Sequence, residues 1–136
     1  EFALPEIRLG ILADSGGVLR LPRRLPRAIA TELLLTGRRM DAAEALRWGL
    51  VNQVVSATEL LPAAGALARR ITESAPLAVA ALQQILRATE TQTLEQAWHT
   101  LRSGAIPAYQ AMLASEDARE GPRAFAEKRA PIWQGR

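Results

Sequence analysis

Helix-start signals recur along the chain at short intervals and divide it into a series of short helices. Each signal is a side chain that can cap a helix, followed three positions later by an acid or amide: Asp41 with Glu44, Ser56 with Glu59, and Thr93 with Gln96. Apolar residues at helical spacing follow each pair. The chain is therefore predicted to be mainly α-helical, with the valine-rich run 50–55 as a short strand.

The predicted helices carry apolar faces that one short strand could not cover. The most continuous of these faces recurs at helical spacing between positions 60 and 71: Leu60, Leu61, Ala64, Leu67, Ala68 and Ile71. Exposed apolar surface of this extent is typical of an interface. We therefore expect further chain, other subunits, or both to cover these faces.

The segment 2–17 holds the strongest candidates for chemistry. Residues 2–4 are predicted to end a buried strand, which Pro5 stops because it has no N–H group. Glu6 would then follow a strand end, held firmly yet reachable. The glycine pair Gly16-Gly17 permits positive φ and predicts a helix start. On spacing alone, Glu6 is a candidate acid/base, although carboxylates such as Glu6 and Asp14 that flank a turn are usually only solvated.

An ordered set of motifs across the chain resembles the enoyl-CoA hydratase/isomerase (crotonase) superfamily. The set begins with Pro5-Glu6, Leu9-Gly10, Gly16-Gly17 and 20–23 (RLPR), and continues through 35–37 (LTG), 49–52 (GLVN) and 127–129 (EKR). The resemblance implies an α/β crotonase (ClpP/crotonase-like spiral) fold, of which this half is mainly helical with one or two short strands. It implies that residues 1–55 form the C-terminal end of the crotonase core with the active-site loop. Residues 56–136 would form the C-terminal helical trimerisation region.

The same resemblance implies chemistry on an acyl-CoA thioester. Members of the family bind the thioester oxygen with two backbone N–H groups, and Glu6 matches the second of two catalytic glutamates. Asp14 matches a position where some isomerases carry a catalytic aspartate. Ala13 and Gly16 fall on substrate-binding loop positions, although Ala13 replaces the proline that the family usually carries there. Phe125 and Lys128 match a pair that approaches the coenzyme A nucleotide in relatives, with core packing and a solvated charge as the equally weighted alternative.

Within the family, the resemblance is strongest to the branch that acts in carnitine metabolism. It is carried by the segments 14–22, 37–40, 45–49, 115–118 and 120–122. This implies reversible hydration of an α,β-unsaturated CoA thioester, with crotonobetainyl-CoA as the substrate. Two alternatives stay open: an enoyl- or dienoyl-CoA isomerase that uses Glu6 and Asp14, and a non-catalytic helical assembly fragment. Family members are roughly twice as long, so we expect the first glutamate and the oxyanion-binding groups in an N-terminal half, without which this chain would be inactive.

The amino-acid composition limits the kinds of partner that the chain is expected to bind. The net charge is +3 and the arginines are scattered, a pattern that does not indicate nucleic-acid binding. The absence of cysteine excludes disulfides and thiolate metal sites, so we expect no metal. No separate cofactor is expected because coenzyme A is part of the substrate. No leader or membrane-spanning run is evident, which predicts a cytoplasmic protein without membrane contact. The resemblance implies a homotrimer or dimer of trimers that also includes the N-terminal half.

Overall fold

The computed structural model describes all residues from Glu1 to Arg136, which divide into two compact units, Glu1–Leu60 and Leu61–Arg136. Eight α-helices follow in order: α1 (Gly17–Arg24), α2 (Arg27–Thr36), α3 (Ala42–Arg47), α4 (Leu60–Thr72), α5 (Pro76–Thr89), α6 (Leu94–Arg102), α7 (Pro107–Ala114) and α8 (Asp117–Ala126). Two 3-10 helices, Pro5–Leu9 and Ala57–Glu59, complete the list. The mainly helical prediction is confirmed. The roles assigned to 1–55 and 56–136 stay predictions.

The predicted short strands are not confirmed. The β-type pairing is one isolated antiparallel bridge, in which the N–H groups of Phe2 and Met40 each donate to the other's carbonyl at 2.8 Å. In the run 50–55, the N–H groups of Leu50 and Val51 both donate to the carbonyl of Ala45, at 2.8 and 3.4 Å. The chain therefore curls back onto the end of α3. β-branched residues favour a strand only where a neighbouring strand can pair with them.

The core of the first unit lies between α2 and α3. Its buried members are Leu25, Ala30, Leu33, Met40 and Ala45. Leu33 faces inward from α2, whereas Leu34 is only half-buried. Helix α2 ends at Gly37, because this glycine adopts the left-handed conformation that caps helices, at φ 58°.

The predicted helix caps form to different degrees. Thr93 and Gln96 make the full reciprocal capping box at the start of α6. At α3, the Asp41 carboxylate accepts a hydrogen bond from the N–H group of Glu44 at 2.7 Å. The Glu44 carboxylate does not complete that box, because it binds the Arg38 guanidinium through two hydrogen bonds of 2.7 and 2.8 Å. This ion pair lowers the pKa of Glu44.

Two prolines lie inside helices. Pro22 lies within α1, which continues to Arg24. Pro122 lies within a continuous α8. Both prolines are exposed and lie in the second half of a short helix. Because proline has no N–H group, each removes the hydrogen bond to the carbonyl four residues earlier, yet the helix continues past it.

The second unit has few buried side chains. Helix α5 packs against α7, with Ala81 and Ile106 buried. Helix α4 buries no residue at all, and its predicted apolar face is exposed, as Leu61 at 81% shows most clearly. The expectation that further chain or other subunits cover this face stays a prediction.

The C-terminal residues fold back onto the start of α8 through two carboxylates. The Asp117 side chain is 4% exposed, and its two oxygens accept hydrogen bonds from the N–H groups of Gln134 and Gly135, at 2.7 and 2.9 Å. Glu120 accepts from the N–H group of Ile132 at 3.0 Å and binds Arg129 at 2.6 and 3.0 Å. Hydrogen bonding to Arg129 is the main cause that lowers the pKa of Glu120 to about 2.

Candidate functional site

Glu6 lies in the 3-10 helix Pro5–Leu9 rather than directly after a strand. Pro5 opens this helix, where its missing N–H group costs nothing. The residue is half-buried, and its Oε2 atom is shielded from solvent without any hydrogen-bond partner. Such an atom is rare in a folded protein, because an unsatisfied buried acceptor costs about 1–3 kcal/mol. Glu6 therefore has a free acceptor that its own chain does not occupy.

The glycine pair that follows performs two different structural tasks. Gly16 caps α1 in the left-handed conformation at φ 111°, and the Arg20 side chain lies over it. Gly17 begins α1 as predicted, and a Cβ atom there would lie 2.9 Å from the Ala13 side chain and 3.0 Å from that of Leu4. Gly17 thus lets the loop pack directly on the residues that precede Glu6. Close packing here was not predicted from the sequence.

Asp14 and Ala13 are neighbours with opposite environments. Ala13 is buried, and its carbonyl accepts a hydrogen bond from Val18 at 3.0 Å. Asp14 is exposed, and no ion pair or hydrogen bond joins its carboxylate to Glu6. Glu6 and Asp14 therefore lie in the same unit, but their carboxylates do not interact with each other.

An apolar pocket of about 190 Å³ opens beside this loop. Its wall includes Leu4, Ile7, Ala13 and Val18, together with one side of α2. Neither carboxylate lines it. Ala13, which the sequence predicts to bind substrate, therefore borders an apolar cavity. Ile7, the residue after Glu6, borders the same cavity.

Phe125 and Lys128 lie in the second unit, at and just beyond the end of α8. Phe125 is 88% exposed, which rules out core packing within this chain. Lys128 is exposed and is the one non-glycine residue with a left-handed backbone, at φ 54°. Its N–H group donates to the carbonyl of Phe125 at 3.2 Å. This turn holds the two residues on one short segment.

Sequence reasoning did not single out Arg8, whose Nε atom donates to the carbonyl of Thr36 at 2.8 Å. Its partner is 28 residues away, so no local pattern could have indicated the contact. No group of three His, Asp or Glu side chains converges in a way that could hold a metal ion. None of the helices combines the length and the apolar character needed to cross a bilayer.

Comparison with known proteins gives one consistent family. Residues 1–136 match the family described as enoyl-CoA hydratase/isomerase. Proteins named carnitinyl-CoA dehydratase, from Proteus mirabilis and Citrobacter koseri, are 62% and 60% identical over the whole chain, which covers 52% of each relative. The chain thus spans about half the length of these curated relatives.

Comparison with solved structures gives the same family. An enoyl-CoA hydratase from Mycobacterium marinum superposes with a TM-score of 0.85 at 41% identity, over 99% of this chain and 54% of the other. An enoyl-CoA hydratase from Bacillus anthracis superposes with a TM-score of 0.87 at 34% identity, over 98% of this chain and 50% of the other.

Proposed function

The chain belongs to the enoyl-CoA hydratase/isomerase family, as its motifs predict, and from this premise we propose that the whole protein is a hydro-lyase. It adds water reversibly across the double bond of an α,β-unsaturated CoA thioester. The observation that carries the proposal is the buried, unpartnered Oε2 atom of Glu6. Acid–base catalysis needs such a group, one that is positioned and has a free acceptor.

Glu6 is proposed to move a proton in this reaction. As a carboxylate it accepts a proton from the water whose oxygen bonds to the β-carbon, while the first glutamate, proposed to lie in the N-terminal half, gives a proton to the α-carbon. Dehydration reverses both transfers. The orphaned oxygen of Glu6 supports this role, because a costly unsatisfied group is a feature expected at functional sites. Ground-state hydrogen bonds from the chain itself would compete with the water, and Oε2 has none.

Crotonobetainyl-CoA is the proposed substrate. The relatives named carnitinyl-CoA dehydratase are about 60% identical across all 136 residues. The names of these relatives, and of the similar solved structures, favour hydration over the alternative of an isomerase that uses Glu6 with Asp14. In hydration, Asp14 would bind a polar substrate group or shape the loop, and its exposed position suits either task.

The remaining site residues stay proposals on the same basis. Ala13 and Gly16 would contact the acyl group, while Phe125 and Lys128 would contact the nucleotide of coenzyme A, which is part of the substrate rather than a separate cofactor. The exposure of Phe125 favours a ligand contact over core packing.

Assembly is also a proposal. The exposed apolar face of α4 supports a partner for this region, which we propose to be the N-terminal half of the whole protein, further subunits of a homotrimer or dimer of trimers, or both. A chain of these residues alone would then serve assembly without catalysis.

The test is substitution of each carboxylate in the whole protein. Glu6→Gln should lower turnover in hydration of crotonobetainyl-CoA by about 10²–10⁴-fold, the usual contribution of a positioned proton-transfer group. Asp14→Asn should lower it far less, and Glu59→Gln, at an exposed glutamate in the same unit, serves as the matched control. Undiminished turnover of Glu6→Gln would contradict the catalytic role. Equal severity of Glu6→Gln and Asp14→Asn, with double-bond migration in a dienoyl-CoA, would establish the isomerase instead.

A further inference from the structure

The 3-10 helix that carries Glu6 is tied to a distant part of the first unit by one side chain. Arg8 donates its Nε hydrogen to the carbonyl of Thr36, the last residue of α2, at 2.8 Å. Carbonyls in the last turn of a helix lack partners within the helix. They also lie at the negative end of the helix dipole, which favours a cation. The contact therefore gives the Thr36 carbonyl a hydrogen-bond donor. It also places the positive charge of Arg8 at the negative end of the α2 dipole, where the electrostatic interaction is favourable.

Gly37 brings the two segments into direct contact next to that hydrogen bond. A Cβ atom at this position would lie 3.1 Å from the Cα atom of Pro5 and 3.2 Å from Nε of Arg8. The residue is buried and has a left-handed backbone at φ 58°. The backbone before Glu6 thus rests on a site that only glycine fits. Arg8, Thr36 and Gly37 together form what we name the Arg8 clamp.

The carboxylate of Glu6 has no comparable support of its own. Its Oε2 atom has no hydrogen-bond partner. The Glu6 carbonyl, in contrast, accepts the N–H group of Ile11 at 3.2 Å, and Gly10 closes the 3-10 helix in a left-handed conformation. The direction of the carboxylate consequently depends on where the short helix lies. In many active sites a second side chain orients the catalytic group, whereas here the backbone must do so.

We propose that Arg8 is a positioning residue for Glu6, acting through the Arg8 clamp. The inference rests on the proposed function of Glu6 and adds a residue to it. Arg8 itself touches neither substrate nor reacting atoms. Displacements of about 1 Å at a catalytic group cost up to about 10²-fold in rate. Loss of the clamp should therefore reduce the rate of proton transfer while leaving substrate binding nearly intact.

The first experiment measures kcat and KM for hydration by the whole protein. Arg8→Met removes the guanidinium and keeps the aliphatic stem that lies against Gly37. Its kcat should fall about 10- to 100-fold with KM changed less than about twofold. Arg8→Lys can still donate to the Thr36 carbonyl and should recover kcat to within about threefold of wild type. Arg23→Ala is the matched control, because this exposed arginine donates to the Leu19 carbonyl of its own helix. It should stay within about twofold of wild type.

The second experiment separates positioning from general stability. If Arg8 acts through Glu6, then Arg8→Met should change kcat less than about twofold in a Glu6→Gln background. An equal loss in both backgrounds would overturn the proposal, as would an unchanged kcat of Arg8→Met beside a severely impaired Glu6→Gln. Full turnover of Glu6→Gln would instead contradict the proposed function itself, so the two failures are distinguishable.

Discussion

The two units treat their sequestered carboxylates in opposite ways. In the second unit, both oxygens of the buried Asp117 accept backbone N–H groups, and Glu120 binds Arg129 and a backbone N–H group. In the first unit, Glu6 keeps one shielded oxygen without any partner. Satisfied acids of this kind hold a chain segment in place. An unsatisfied one is costly to the fold, which supports the catalytic role proposed for Glu6.

A second difference lies in the cores. The first unit buries a continuous cluster around Leu33 and Met40. The second unit leaves the apolar face of α4 in solvent. The first unit thus has a buried apolar cluster of its own, whereas α4 in the second unit contributes no buried residue.

The largest effect that would test the comparison of the two units is expected at low pH, where Glu120 becomes protonated. The folded state lowers the pKa of Glu120 to about 2, below its ordinary value of 4.5. Its stabilising contribution is therefore fully present above about pH 4.5 and is lost as the pH falls toward 2. We expect the C-terminal segment to detach in this window, which Trp133 fluorescence would report in a protein with Trp48→Phe and Trp98→Phe.

Glu120→Gln should remove that pH dependence, because the neutral amide does not titrate. Glu127→Gln is the matched control, since Glu127 also binds Arg129 but is half exposed. Identical acid profiles for wild type and Glu120→Gln would show that Glu120 does not hold the segment.

A smaller effect is expected from Gly37→Ala. This change forces a left-handed alanine and places its Cβ atom 3.1 Å from the backbone of Pro5. We expect a loss of about 2–4 kcal/mol in the free energy of unfolding, measured in urea. Gly49→Ala imposes a similar left-handed strain at φ 75° with no atom within 4 Å of the added carbon. It should therefore cost only about 1 kcal/mol. Equal losses of stability would mean that backbone strain alone determines the cost of both substitutions, without a contribution from the close contact with Pro5.

The smallest effect concerns stability at Glu6 itself. Glu6→Leu removes the unsatisfied oxygen and should raise the free energy of unfolding by about 1 kcal/mol while abolishing activity. Asp117→Asn is the counterpart in the second unit. It should lower the same quantity by about 2 kcal/mol, because one backbone N–H group loses its acceptor. Destabilisation by both substitutions would remove the contrast between the two units.

The helices could be predicted because their start signals are local. Thr93 and Gln96 lie within one turn of each other, and Gly37 ends α2 through its own backbone preference. The strand at 50–55 could not be judged in the same way, since a strand depends on a partner elsewhere. Leu50 instead bonds back to Ala45. Local propensity indicated an extended segment, and the absence of a pairing neighbour in this chain decided otherwise.

The candidate site could be predicted only in part. Glu6, Asp14 and the glycine pair follow from ordered motifs in the sequence. The hydrogen bond from Arg8 to Thr36 joins residues far apart in the chain, and the packing of Gly17 against Leu4 depends on a fold-back. Such contacts have no sequence period. The motif therefore predicts the candidate acid, and the fold shows which contacts hold the segment that carries it.

The left-handed backbone of Lys128 has a consequence for redesign of the protein. A residue other than glycine is destabilised by about 1 kcal/mol in this conformation, so a search for stabilising substitutions would select Lys128→Gly early. That search would delete the only amine-bearing side chain in the sequence. A design guided by thermal tolerance alone would thus remove a group that the fold retains at a cost. Lys128 should be held fixed in any such library, together with Glu6.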